Sequence, residues 1–432
     1  MSLLKNSKHT LLANVFNQGA SIVIFLIVPN ILTHEDYAQT IYISVLLSFL
    51  VVSDFGMSIV YGRKMPSVYS GCCKKRIEMY NQTFFWFRLT MSLFGSALIS
   101  IIYFLKYYLF LNALLLFFLN PLTVIITFFI SQYGVREDFK FYRNINIANA
   151  VSRIITLPII YFLGISGWII AQITSSIIVL KAMKENFFLG FDYFNIKLIK
   201  KYFLEGVSLL ALFFFWNQLL NSGRLFASIG FQDDLMAQYG LANNAYLLLL
   251  NLSISVFLPV TISSLKIIEK DTKGAIEQLF NVVIKTSFML SIVVILSIEI
   301  SPFLFKIFFP RYVIDYDILR YQLLSLMSLP LVATLGNIFQ GLKQPVKLIF
   351  INILSFFLSY LIFISMKSID ASAAIAQCVG VNFLGILLLV STVYFYGDFI
   401  NRKYFTLFKL LLIVFLPYLL YFSTRSYFEV FF

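Results

Sequence analysis

The sequence predicts an all-α polytopic membrane protein: two six-helix lobes around a central cavity, about twelve transmembrane helices, and a short thirteenth hydrophobic segment near the C-terminal end. Three observations lead there. Hydrophobic residues make up 60% of the 432 and charged ones only 12%, far from the balance of a water-soluble domain of this length. The apolar residues gather in runs of roughly 18 to 25, the length that crosses a hydrocarbon core. The lysines and arginines fall in the short gaps between runs, and preferentially in alternate gaps.

The N-terminal lobe, residues 1–183, holds runs near Leu11–Leu32, Tyr37–Tyr61, Phe84–Phe104, Tyr108–Tyr133, Ile145–Leu163 and Gly167–Met183. Lys5 and Lys8 precede the first run, which is too long for a removable signal and has no small-residue cleavage site, so it is expected to stay as the first span. Residues 184–205 read as a basic cytoplasmic linker. The second lobe, 206–396, holds runs near Gly206–Ile229, Leu235–Val260, Asn281–Ile300, Tyr321–Gln340, Leu348–Ser365 and Ala371–Tyr396. In the remaining segment, 397–432, the run Phe408–Phe422 is short and contains Pro417.

A cytoplasmic N-terminus places Arg63, Lys64, Lys74, Lys75, Arg76, Arg136, Lys140, Arg143, Lys181, Lys184, Lys197, Lys200 and Lys201 inside, followed by Lys266, Lys270, Lys273, Lys343, Lys347, Arg402, Lys403 and Lys409. The outer side keeps Lys106, Lys306, Arg311, Arg320, Lys367 and Arg425, which satisfies the positive-inside rule. The halves echo each other: Gly134-Val135-Arg136-Glu137-Asp138-Phe139-Lys140 follows the fourth run, and Gly341-Leu342-Lys343-Gln344-Pro345-Val346-Lys347 follows the tenth. That is the signature of two parallel repeats.

The net charge of +13 is spread among loops, not gathered in a stripe, so it reports orientation and implies no nucleic acid. Cys72 and Cys73 share a basic loop and Cys378 lies in an apolar run; no disulfide or metal site follows. No Gly-rich phosphate loop of the Walker type is present, and only His9 and His34 are available for general-base chemistry. Together with short outer loops, this points away from an enzyme, and no cofactor is implied.

The stretch from Leu204 to Asn244 organises the functional reading, because it carries an arginine inside a span. Asn217, Asn221, Arg224 and Ser228 follow one another at helical spacing, so they share a face. Arg153 lies near the middle of the fifth run with Asn146, Asn149 and Thr156 on its face. Arg88 shares a face with Ser92 and Ser96, and Asn14, Gln18 and Ser21 form a stripe on the first run. An arginine in lipid costs several kcal/mol unless it faces a wet or paired interior. The acids Asp54, Glu205 and Glu299 sit at run ends, so the deep interior is net positive. Guanidinium groups pair bidentately with phosphate oxygens, and a phosphate- or carboxylate-bearing substrate fits better than a cation. The competing readings are structural: Arg88 ties helices through Asp54, Arg224 snorkels outward, and small polar residues serve helix packing. Gly95, Gly336, Gly380, Pro158 and Pro330 mark either bends that let lobes rock or simple close packing.

Several patterns resemble the Wzx-type polysaccharide flippases of the multidrug, oligosaccharidyl-lipid and polysaccharide exporter superfamily. They are Glu35-Asp36-Tyr37 after the first run, Asp54-Phe55-Gly56 ending the second, Gly134 to Arg143, Gln238-Tyr239-Gly240-Leu241-Ala242, and Phe309-Pro310-Arg311-Tyr312. The chain departs from the pattern at Ala38, where members often have Gly, and at Gly206-Val207-Ser208, where they often have Pro. The resemblance implies a two-lobed bundle in the bacterial inner membrane. It would move undecaprenyl-diphosphate-linked oligosaccharide to the periplasmic leaflet by alternating access, for O-antigen or capsule synthesis. Membrane lipids, a polysaccharide polymerase and a chain-length regulator would be its further partners. Rivals are an ion-coupled multidrug exporter of the same fold, a flippase for the peptidoglycan lipid precursor, and a membrane polysaccharide polymerase.

Overall fold

The computed structural model describes residues 2–71, 73–183, 190–268, 272–312, 315–341 and 345–396. Among them the chain forms fifteen α-helices and two short 3-10 turns, with no strand. The first rod is α1 (Ser2–Ile31). The second joins α2 (His34–Phe49), the 3-10 turn Leu50–Val52 and α3 (Met57–Gly71). α4 (Lys74–Tyr107) and α5 (Phe110–Val135) follow. α6 (Phe139–Ile155) passes through Thr156 into α7 (Leu157–Met183), and the chain reverses at Gly164 inside α7 (φ 56°, ψ −132°). The fifth rod therefore runs from Phe139 to Leu163, and the sixth returns from Ile165 to Met183.

The seventh rod is α8 (Ile196–Leu220) and α9 (Ser222–Gly230), broken at Asn221. α10 (Asp233–Ile268) and α11 (Thr272–Phe308) come next. The tenth rod joins α12 (Tyr316–Leu324), the 3-10 turn Ser325–Ser328 and α13 (Leu329–Gly341); α14 (Pro345–Ser365) and α15 (Ser372–Tyr396) complete the set. Each expected run lies along one of these rods. Among the described residues ten helices are long and apolar enough to cross a membrane, and this is a multi-pass membrane protein. With the fifth rod and α10, the rods among the described residues number twelve. The hydrophobic segment expected within 397–432 lies outside the described residues.

Local chemistry accounts for several helix starts. Thr33 caps α2 by accepting from the Asp36 N–H at 3.1 Å, which gives the Glu35-Asp36-Tyr37 turn its role as the acidic first turn of a helix. Asp138 caps α6 through the Phe141 N–H and Asp315 caps α12 through the Asp317 N–H.

Two compact units divide at Phe214/Phe215, inside α8. In the first unit one apolar cluster centres on Tyr61, Phe84, Phe85, Phe128 and Phe129, and a second on Ile43, Ile99, Tyr103, Leu116 and Ile169. Asn120 ties α5 to α4 by donating to the Ser92 carbonyl (3.2 Å) and Ser96 Oγ (3.0 Å). The Ser92 and Ser96 stripe is thus a packing contact. Residues such as Phe94, Phe118 and Phe162 stay exposed, as an apolar solvent outside the bundle requires.

Of the expected linker 184–205, residues 184–189 lie outside the description and the remainder packs on the first unit. α4 holds it: Trp86 Nε1 donates to the Gly190 carbonyl, while Gln82 Oε1 and Thr83 Oγ1 accept from the Tyr193 and Asn195 N–H groups. α8 starts at Ile196, ahead of the expected Gly206. Its first turns are anchored by the Lys64–Glu205 ion pair at 2.9 Å and the Tyr80–Tyr202 hydroxyl contact at 3.1 Å. At the junction of α2 and α3, Phe55 and Gly56 adopt φ of 50° and 75°. A Cβ at Gly56 would lie 2.1 Å from the Gly206 carbonyl oxygen, and one at Gly206 would lie 2.6 Å from the Phe55 oxygen. Two glycines facing each other therefore let the kink of the second rod touch the backbone of α8.

Candidate functional site

In the first unit α1 packs along α6, and the seam between them is polar. Asn17 Nδ2 donates to Asn146 Oδ1 at 3.0 Å, and Asn146 Nδ2 donates to the Tyr142 carbonyl at 2.8 Å. One turn earlier Arg143 Nη1 lies 3.0 Å from His9 Nδ1. Asn17 was not among the expected residues; Asn14, which was, is exposed, and Gln18 and Asn149 are partly buried. Asn17 lies at i+3 from Asn14 and beside Gln18, so it belongs to the same helical face as the expected stripe.

Arg153 sits about two turns beyond Asn146 on α6. Its side is flanked by lipid-type surface at Val151, Ile154 and Ile155, while Ser152 turns inward to Ser175 at 2.7 Å. Arg153 is itself partly buried, and its guanidinium makes no hydrogen bond, ion pair or ring contact among the described residues. At about 1.5 Å per residue it lies about 15 Å from Leu163 at one end of its rod and about 21 Å from Phe139 at the other. The Leu163 end adjoins the Thr33–Asp36 turn, since Gly164 lies against Asp36. A positive charge is thus held near the middle of the fifth rod, at the edge between exposed apolar and packed surface.

Arg224, in the second unit, is 9% exposed and engaged. Its Nη2 donates to Asn221 Oδ1 at 3.0 Å, and Asn221 Nδ2 donates to the Asn217 carbonyl at 2.8 Å. The ladder crosses the break between α8 and α9, so these residues satisfy backbone and side chain where the helix is interrupted. Asn217 is exposed, and Ser228 turns back to the Leu225 carbonyl.

Arg88 is the most thoroughly paired of the three. Its Nε lies 3.3 Å from Asp54 Oδ2, and its guanidinium rests over the Phe128 ring at 5.9 Å. Asp54 also accepts from the Gly56 and Ser58 N–H groups at 2.9 and 3.1 Å, which caps α3. The structural alternative weighed for Arg88 thus describes its geometry: the charge is balanced, and the pair braces the kink that meets Gly206. Arg88→Met is expected to lower the thermal midpoint of the purified protein by a loss of about 2 kcal/mol, because Asp54 is left buried without its cation. Combining it with Asp54→Asn should restore part of that loss, as read by unfolding curves in detergent.

Sequence reasoning also missed a hub at the basic end of the first unit. Tyr69 Oη accepts from Asn81 Nδ2 (3.1 Å) and Arg136 Nε (3.0 Å), and Asn81 in turn accepts from Tyr61 (2.8 Å). The run Asn81-Gln82-Thr83 in an otherwise aromatic stretch was the available signal. Among the described residues no three His, Cys, Asp or Glu side chains are grouped so as to hold a metal ion.

With that geometry in hand, solved structures place the fold. The chain superposes on the lipid II flippase MurJ in an inward closed conformation with a TM-score of 0.64 at 15% identity, covering 99% of this chain and 100% of that one. An inward-facing multidrug resistance MATE family transporter of the MOP superfamily gives 0.63 at 13% identity, covering 90% and 95%. A MATE transporter in complex with MaL6 gives 0.62 at 13%, covering 92% and 96%. No family model matches the chain, and no curated protein matches it in sequence. The chain shares the fold of these solved structures.

Proposed function

We propose that this protein is a flippase that carries undecaprenyl-diphosphate-linked oligosaccharide repeat units across the bacterial cytoplasmic membrane by alternating access. Its N-terminus faces the cytoplasm and its product serves surface polysaccharide synthesis. The observation that carries the reading is Arg153: a guanidinium without a protein partner among the described residues, near the middle of the fifth rod, beside exposed apolar surface. A charge in that position is costly unless an anion meets it. A diphosphate is a bidentate partner for a guanidinium. Its polyprenyl tail can stay in the bilayer because the site borders lipid. The Asn17–Asn146 pair, together with Asn149 and Gln18, supplies neutral donors and acceptors along the same seam for sugar hydroxyls. In the second unit Arg224, with its Asn221–Asn217 ladder, offers an anion contact of its own, and in the first unit Arg88 acts by bracing.

A MATE-like exporter of cationic drugs shares the fold, but a seam whose charged members are Arg143 and Arg153 repels such cargo. The protein acts without catalysis, and the polymerase and chain-length regulator act downstream of it. The deciding measurement is the pool of lipid-linked oligosaccharide in cells with and without the protein, read together with surface polymer. Loss of the protein is expected to leave complete units on the cytoplasmic side and to strip the surface polymer. Unchanged pools with increased sensitivity to toxic cations would overturn the proposal in favour of drug export.

A further inference from the structure

The second unit contains a group of fully buried amides that the transport reading does not use. Asn243 on α10 and Gln322 on α12 are both 0% exposed, and among the described residues neither the nitrogen nor the oxygen of either side chain has a hydrogen-bond partner. They lie at one level. α10 and α12 pack side by side in the same direction, with their starts joined by Gln238 accepting from the Asp315 N–H at 3.0 Å. One turn further along each, the Tyr246 hydroxyl approaches Ser325, and Gln377 from α15, without completing a hydrogen bond of good geometry to either. From the other side α15 contributes Gln377, which is satisfied: it accepts from the Gly223 N–H at 3.1 Å and donates to the Leu220 carbonyl at 2.7 Å. Gly223 closes the group, since a Cβ there would stand 2.3 Å from Gln377 Oε1 and 2.8 Å from Gln322 Nε2.

Four amide atoms without partners in a dry interior are a large penalty, and buried polar atoms are ordinarily satisfied by protein or by ordered water. The position of the group is a second, independent observation. It lies where two rods leave α-helical winding: α12 tightens into the 3-10 turn at Ser325, and the seventh rod breaks at Asn221 beside Gly223. Water inserted into a backbone ladder is a standard cause of such interruptions.

We infer that Asn243, Gln322 and Tyr246 enclose an internal hydration site, holding about two ordered water molecules that make about three hydrogen bonds each. Water satisfies both the donors and the acceptors of the two amides. A metal cation would use only their oxygens and would find no carboxylate among the converging residues. Bound water at this level lets the seventh and tenth rods exchange hydrogen bonds as they bend, without exposing bare amides to the apolar core.

The test is microsecond X-ray hydroxyl-radical footprinting of the full-length protein in nanodiscs, read by mass spectrometry. Radicals form from water inside the protein, so Tyr246 should be oxidised several-fold faster than Tyr239. Tyr239 lies on the same helix, is equally buried at 0%, and is fully hydrogen-bonded to the Asp370 carbonyl and the Ala374 N–H. Gln322→Leu should bring Tyr246 down to the Tyr239 rate, and Asn243→Leu provides the same reading should the first variant fail to fold. Equal rates for the two tyrosines in the unaltered protein would overturn the inference. So would a rise of several degrees in the thermal midpoint on replacing choline chloride with sodium chloride, which would assign the oxygens to a cation.

Discussion

Arg153→Met is expected to reduce transport by about 10- to 100-fold while leaving the thermal midpoint of the purified protein unchanged or slightly raised. The two halves of that result come from one piece of geometry. A hydrogen bond to a charged group contributes about 1.5 to 3 kcal/mol, which converts to that range of affinity for an anionic substrate. A guanidinium with no protein partner contributes nothing to folding except the cost of its own desolvation, so an apolar replacement of similar length removes a penalty. Loss of activity with retained stability is the pattern of a residue kept for function. Arg153→Lys should give intermediate transport, since the charge survives and the bidentate fork does not. The measurement is flipping of a lipid-linked oligosaccharide in reconstituted vesicles, with unfolding curves on the same preparations. Transport at the unaltered rate in Arg153→Met would remove the observation on which the functional reading stands.

The second large effect is structural. Gly56→Val is expected to prevent folding of the first unit or to destabilise it by more than about 4 kcal/mol, beyond the usual range for single substitutions. A β-branched residue is a strained occupant of φ near 75°, and its Cβ would overlap the Gly206 carbonyl. Relief would require α8 to move away from the kink, breaking the Lys64–Glu205 pair and the Tyr80–Tyr202 contact with it. Gly62→Ala is the matched control. It lies in α3 with open space around the position of a Cβ, and should be neutral or stabilising by up to about 1 kcal/mol. Monodispersity after mild heating distinguishes the two variants.

Hydropathy located the ten helices that, among the described residues, are long and apolar enough to cross a membrane, because a bilayer demands long apolar segments whatever the tertiary contacts. The interruptions were less legible. The kink at Ser53–Gly56 and the break at Asn221 depend on what lies across from them, Gly206 and Gln377. A single run of sequence does not carry that information. The early start of α8 escaped for a related reason, since Lys197, Lys200 and Lys201 read as linker, whereas the opposite face, Leu198 and Ile199, is buried. The intramembrane arginines were visible as residues, and the Asp54 partner of Arg88 was nameable from run ends. The contrast between an engaged Arg88 and an Arg153 without a partner among the described residues could be read only from the packed helices.

The contact between Gly56 and Gly206 also bears on how the protein is made. Membrane chains are inserted from the N-terminus at a pace of residues per second, and compact units close when their last element arrives. The six rods that end at Met183 do not complete the first unit. Its kink remains uncovered until Tyr202, Glu205 and Gly206 have emerged, well over a turn into the next rod. During that interval the nascent chain exposes a strained bend and an unpaired Lys64. A fragment ending at residue 214 should therefore accumulate as a discrete folded species, whereas one ending at 183 should be a substrate for membrane quality-control proteases.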